Sequence, residues 1–370
     1  MEETFVCSIC GEIHPIHDCT TLDDQFLCPS CVETETTICV DCGERIWRED
    51  NAGNEDTPLC EPCYERSYVT CTRCGALLYK DDARYDSDDP DNEEPLCSSC
   101  YERLERTRVI QNYGYKPKPI FHGEDSRYFG VELEIDGGGE DNDNARDLIR
   151  LANRSGELIY CKHDGSLNDG FEIVTHPMSL EFHKKAMPWA EVMEEVISMG
   201  YTSHQAGTCG LHVHVNRNAF GSTEALQDAC IARILYFFEK NWEELLKFSR
   251  RTQYQLDQWA ARYGYKEHPK DILDHAKKGG GSGRYSCVNL QNCNTIEFRM
   301  FRVTLKYNTL IATLQLVNRV CEVALNLSDI ELKELSWTTF VSGCQAPELV
   351  QYLKERRIYV NEPVEGEVEV

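Results

Sequence analysis

The sequence predicts an α+β protein: an antiparallel sheet covered by helices, preceded by three small cysteine-rich modules. Three observations predict it. Residues 1–105 carry six Cys-x-x-Cys pairs in a threefold repeat. Four later segments alternate apolar and polar residues with a period of two, the mark of a strand with one buried face. The stretches between those segments place their apolar residues at helical spacing.

The bulk properties set the frame. A chain of 370 residues has room for about two or three domains. Its hydrophobic content, 41%, supports a sizeable core in the larger part. No apolar run reaches the about 18 residues of a membrane span. The opening Met-Glu-Glu-Thr-Phe-Val-Cys has neither the basic region nor the apolar run of a secretory signal. The expectation is a soluble, cytoplasmic protein with no membrane contact. The net charge of −25 is uneven, with 26 Asp/Glu against 7 Lys/Arg in residues 1–105. So acidic a front end argues against nucleic-acid binding, because phosphate contacts need Lys and Arg.

The cysteine pairs are Cys7/Cys10, Cys28/Cys31, Cys39/Cys42, Cys60/Cys63, Cys71/Cys74 and Cys97/Cys100. Taken two pairs at a time they are separated by 17, 17 and 22 residues. Each unit opens Cys-x-x-Cys-Gly and closes Leu-Cys-x-x-Cys. The glycine suits a tight knuckle whose backbone N–H groups point at sulfur. This spacing predicts three structural Zn²⁺ sites of four thiolates each, in modules at about 5–35, 36–68 and 69–105. Such modules are too small for their own cores, so zinc supplies most of their stability. Sequential pairing follows from the two knuckles per unit, with a cross-braced arrangement as the alternative. The modules resemble zinc ribbons or treble clefs, and their expected role is to bind a protein or peptide partner, or a macromolecular substrate.

Residues 81–95 form an acidic insert, 106–125 a Pro-containing linker, 126–358 the larger domain and 359–370 an acidic, disordered tail. Within the larger domain, Gly130–Asp136 places Glu132, Glu134 and Asp136 opposite Val131, Leu133 and Ile135. Asn144–Asn153 reads as a helix, Glu157–Lys162 as a strand, and Phe171–Thr175 as its hairpin partner bearing Glu172. Leu180–Met199 reads as one amphipathic helix ended by Gly200. Gly210–Asn216 places His212, His214 and Asn216 opposite Leu211, Val213 and Val215. A long helix runs from a cap at Ser222 or Thr223 to about Ser249. After the Gly279–Gly283 loop, Tyr285–Leu290 and Thr295–Val303 form a last hairpin, with Glu297 and Arg299 on its polar face. Tyr307–Leu325 is a covering helix. One such polar face is ordinary for a half-exposed strand. Four faces built from Glu, Asp, His and Arg, rather than Lys, Thr and Ser, point to a cation that holds the carboxylates together. Oxygen ligands with one imidazole suit Mg²⁺ or Mn²⁺.

The order of these segments resembles the amidoligase family, carboxylate–amine ligases related to glutamine synthetase and glutamate–cysteine ligase. The matching residues are Phe129-Gly-Val-Glu-Leu-Glu-Ile-Asp136, Asp164-Gly-Ser-Leu167, Gly170-Phe-Glu-Ile-Val174, Cys209-Gly-Leu-His-Val-His-Val215, Arg284-Tyr285 with Val288-Asn-Leu290, and Thr295-Ile-Glu-Phe-Arg299. The resemblance implies a glutamine synthetase-like domain whose curved sheet holds ATP and two divalent ions. It implies that Glu132, His212 and Glu297 hold one ion and that Glu134 and Glu172 hold the other, with Asp164 as a further candidate. It implies Arg299 at the γ-phosphate, Arg284 at the nucleotide and His214 behind the ligands. The implied reaction joins a carboxylate to an amine through an acyl phosphate. Two other readings stay open: a hydrolase that activates water at a metal held by His212 and His214, and a non-catalytic zinc adaptor.

Overall fold

The computed structural model describes residues 3–85, 94–203 and 209–359. The middle of the acidic insert, 86–93, and the acidic tail from Val360 lie outside the described residues. The chain divides into two units between Arg108 and Val109.

The first unit repeats one design three times. A short antiparallel pair flanks the first knuckle: Thr4–Val6 with Ile13–Pro15, Thr36–Ile38 with Arg45–Trp47, and Tyr68–Thr70 with Leu77–Tyr79. A helix follows, at Pro29–Glu35, Glu61–Ser67 and Ser98–Thr107, each with a cysteine at its N-cap and the next cysteine in its first turn. Gly11, Gly43 and Gly75 have φ of +76, +78 and +73°, the left-handed knuckle geometry that glycine adopts freely. The buried clusters of these modules are mostly cysteine, with Leu27, Leu59 and Leu96 beneath.

The thiols gather as Cys7/10/28/31, Cys39/42/60/63 and Cys71/74/97/100, the sequential pairing. Tetrahedral zinc with Zn–S of about 2.3 Å separates its sulfurs by about 3.8 Å. Here Cys10 and Cys28 are 3.9 Å apart, Cys42 and Cys60 3.7 Å, and Cys74 and Cys97 3.7 Å. Burial opposes thiolate at Cys7, but backbone N–H groups of Cys10, Cys28 and Ile9 pull it down to about 6. At Cys39 burial is again overcome, by N–H groups of Cys42, Cys60 and Asp41, and it too falls to about 6. The donor set, spacing and N–H cradle all fit zinc.

The second unit is built on a seven-stranded sheet. Its strands are β1 (Ile110–Gln111), β2 (Phe129–Asp136), β3 (Ile159–Lys162), β4 (Gly170–Thr175), β5 (Gly210–Asn216), β6 (Val288–Asn289) and β7 (Thr295–Arg302). Their spatial order is β1-β3-β4-β2-β5-β7-β6, with the acid-rich β2 at the centre. All pairs are antiparallel except β1, which runs parallel to β3. That edge strand falls inside the stretch expected to be a linker, since a two-residue strand has no period to read. Val131, Leu133, Ile135, Ile173, Leu211, Val213, Val215, Ile296, Phe298 and Met300 are fully buried on one face and join a single core with the helices.

The helices differ from expectation in two places. The segment 180–199 is two helices, α2 (Leu180–Lys185) and α3 (Trp189–Ser198), following α1 (Asn142–Ala152). Pro188 lacks the N–H that a continuous helix needs. The long segment to Ser249 is also two, α4 (Glu224–Lys240), capped by Thr223, and α5 (Trp242–Ser249). They break at Asn241, whose φ of −109° and ψ of 32° leave the helical region, while its side chain donates to the Phe237 carbonyl at 2.9 Å. Helix α6 (Tyr307–Asn326) buries Leu310, Ile311, Leu314 and Val317 in the core. Among the described residues no helix is long and apolar enough to cross a membrane.

Candidate active site

Strand register brings the charged residues into one patch on the face opposite the core. Glu132 lies across from His212, and Glu134 across from Glu172. Glu172 in turn lies across from Lys162 on β3, and His214 across from Glu297 on β7. A bulge between β5 and β7 pairs Leu211 with Phe301 but Val213 with Phe298. One extra residue of β7 therefore opposes His212, so Arg299 stays on the polar face while Phe301 returns to the core. The signal was in the sequence: the apolar alternation of Ile296, Phe298 and Met300 slips by one to Phe301 and Val303.

His212 is the hub. Its Nδ1 lies 3.2 Å from Glu132 Oε2 and 3.7 Å from Glu297 Oε1, and its Nε2 lies 3.6 Å from Glu134 Oε1. Glu132, His212 and Glu297 each offer one ligand atom, all within 4.8 Å of one another. His214 Nε2 sits 3.2 Å from the other oxygen of Glu132, and its Nδ1 3.3 Å from Thr295 Oγ1, so it lies behind Glu132. Glu297 accepts from Asn289 Nδ2 at 2.8 Å, from Asn292 Nδ2 at 3.4 Å, and from Arg299. Arg299 Nε is buried and makes no hydrogen bond, leaving a cationic donor unspent beside the trio.

The electrostatics follow from this packing. Burial opposes charge on Glu132, but His214 and His212 hold its carboxyl well below the usual range. Burial likewise opposes charge on Glu297, and the same imidazoles hold it below its ordinary value. His214 is held above the usual histidine value, Glu132 outweighing the effect of burial. Glu134 moves the other way: burial pushes it up, His212 opposes, and Asp164 adds to the rise. At the far end Lys162 Nζ donates to Glu172 Oε1 at 2.6 Å, both side chains buried.

Asp164 and Arg284 are placed at the edge of the patch. Asp164 Oδ1 accepts from Ser166 N at 2.7 Å and so fixes its turn, while its charge is felt by Glu134, Glu172 and Arg284. Arg284 lies exposed after the glycine loop, over the Tyr285 ring at 4.7 Å and 3.2 Å from Tyr113 Oη. Asp136, on the same strand face as Glu132, accepts from Gly137, Asn168 and Asp169 backbone N–H groups and ties down the β3–β4 turn.

Four participants escaped the sequence reading. Lys162 was legible, since alternation with Ile159 and Cys161 places it on the polar face of β3. Asn289 lies on β6 across from Glu297. Arg251, whose Nη2 donates to the Cys209 carbonyl at 3.2 Å, follows left-handed Arg250 with φ +61° and has no periodic signal. Gly210 donates its N–H to Glu134 and leaves no room for a side chain.

No curated protein matches this chain. A crystal structure of a bifunctional glutathione synthetase from Pasteurella multocida is similar at a TM-score of 0.31 and 14% identity, over 62% of this chain and 46% of that one. The chain thus spans about half the length of that structure. Residues 150–321 match the family described as "Putative amidoligase enzyme". Strands β3 to β7, with His212, Glu297 and Arg299, fall within that match, and β2 precedes it. Over residues 150–321, then, this chain is similar to the amidoligase family.

Proposed function

We propose that the protein is an ATP-dependent ligase that joins a carboxylate to an amine, forming an amide or isopeptide bond through an acyl phosphate. The observation that carries this reading is Arg299. It is a half-buried guanidinium whose buried Nε has no hydrogen-bond partner, set against the cluster of Glu132, His212 and Glu297. A cation-binding trio beside a spare arginine donor suits a phosphoryl group flanked by positive charge. Water activation at a metal has less use for such an arginine.

Glu132, His212 and Glu297 would hold Mg²⁺ or Mn²⁺ through two hard carboxylate oxygens and one imidazole nitrogen. A divalent ion there neutralises charge on phosphoryl oxygens. Arg299 would hold the γ-phosphate and orient it toward the acceptor carboxylate. Asn289 and Asn292 donate to Glu297, and His214 lies 3.2 Å behind Glu132, which places the anionic wall before substrate arrives. The γ-phosphoryl group moves to the acceptor carboxylate oxygen and ADP leaves. The amine then attacks the activated carbonyl and phosphate departs. Arg284 at the mouth would contact the nucleotide, and Asp164 would face the acceptor. The zinc modules would bind a partner or a macromolecular substrate.

Hydroxylamine tests the intermediate. With ATP, Mg²⁺ and a pool of amino acids and acidic peptides, it should trap the acyl phosphate as a hydroxamate. ATP consumption without hydroxamate, across substrates that stimulate turnover, would contradict the scheme.

A further inference from the structure

The resemblance implies two divalent ions on this sheet. Glu134 and Glu172, the carboxylates expected to hold the second, are both engaged by the chain itself. Glu134 accepts from the Gly210 N–H and lies 3.6 Å from His212 Nε2. Glu172 holds the ammonium of Lys162 at 2.6 Å. That ammonium is buried between β4 and the Tyr113 ring, whose centroid is 5.3 Å away. Directly opposed carboxylates such as Glu134 and Glu172 repel each other without a cation. Lys162, one strand further along the same row, supplies it. A divalent ion on Oε1 of Glu172 would sit about 2.0–2.6 Å from it, in the space the ammonium occupies.

We infer that the Lys162 ammonium takes the place of the second divalent ion, so that the sheet works with one metal, at Glu132, His212 and Glu297, and a covalently tethered cation. The inference rests on the ligase reading for the first ion. It makes Lys162 a positioning residue that fixes Glu172 and Glu134 at the acceptor end.

Mn²⁺ counting by electron paramagnetic resonance, on the zinc-loaded full chain, tests it. Mn²⁺ is the weakest first-row competitor and leaves thiolate-bound zinc in place. Wild type should bind one Mn²⁺ per chain, Lys162→Arg one, and Lys162→Gln two, since Glu134, Glu172 and Asp164 are then left without their cation. Glu297→Ala should abolish the wild-type ion, and the Lys162→Gln/Glu297→Ala double variant should keep one. Two ions in wild type, or no gain in a folded Lys162→Gln protein, would overturn the inference and leave the ligase reading standing. No Mn²⁺ in wild type would overturn both.

Discussion

Gly210→Ala adds one methyl group to the site and removes nothing. Its Cβ would lie 2.7 Å from His212 Nε2, 2.9 Å from Arg251 Nη2 and 3.4 Å from Glu134 Oε2. Ordinary contact begins near 3.4 Å, so the His212 ring must retreat by about 0.7 Å or the strand must shift. The backbone at Gly210 is extended, and alanine meets no conformational strain there. Overpacking of this kind costs about 1–3 kcal/mol. A catalytic group displaced by about 1 Å loses on the order of 100-fold in rate. Gly130→Ala is the matched control. It lies across from His214 on the neighbouring strand, and its Cβ would meet His214 Cβ at an ordinary 3.5 Å. Calorimetric Mn²⁺ affinity and ATP turnover, with thermal melts to confirm folding, should show a loss of tens- to a hundred-fold for Gly210→Ala. Gly130→Ala should stay within about twofold of wild type. A folded Gly210→Ala protein with wild-type metal affinity and turnover would refute the view that His212 is held in place by close packing.

Two further outcomes are expected. His183 is buried, donates from Nε2 to the Phe129 carbonyl at 3.0 Å and accepts from Trp189 Nε1 at 3.2 Å, so it is satisfied only when neutral. Burial pulls it down to about 4 from 6.5. The unfolded chain binds the extra proton between those values, so this contribution is complete above pH 6.5 and is lost as pH falls to 4, about 3 kcal/mol in all. Urea midpoints should fall across that window in wild type and fall less steeply in His183→Gln; parallel profiles would contradict the assignment. A strong zinc chelator should release three Zn²⁺ per chain and unfold the Cys modules, while the far larger apolar core of the second unit keeps its own melting transition. Fewer ions released, or one transition lost for both units, would contradict the modular account.

Much of this was legible because the signals are periodic. Strict Cys spacing marked the three tetrads, and period-two faces on β2, β4, β5 and β7 carried Glu132, Glu134, Glu172, His212, Glu297 and Arg299 to one side of the sheet. What escaped depends on registry and short-range geometry. β1 is too short to alternate. Pro188 and Asn241 break helices whose apolar spacing runs on. Arg251 enters the patch just after left-handed Arg250, at a helix end with no periodic signal. The Lys162–Glu172 contact required knowing that β3 and β4 pair at that register.

The most direct test of the central claim is ATP turnover by wild type and Glu297→Ala, with Mg²⁺ or Mn²⁺ and a pool of amino acids, peptides and amines. The account predicts ADP and phosphate release that depends on the added carboxylate and amine and disappears in the variant. Absence of nucleotide binding and turnover in wild type, with tight transition-metal binding lost on His212→Ala, would contradict it.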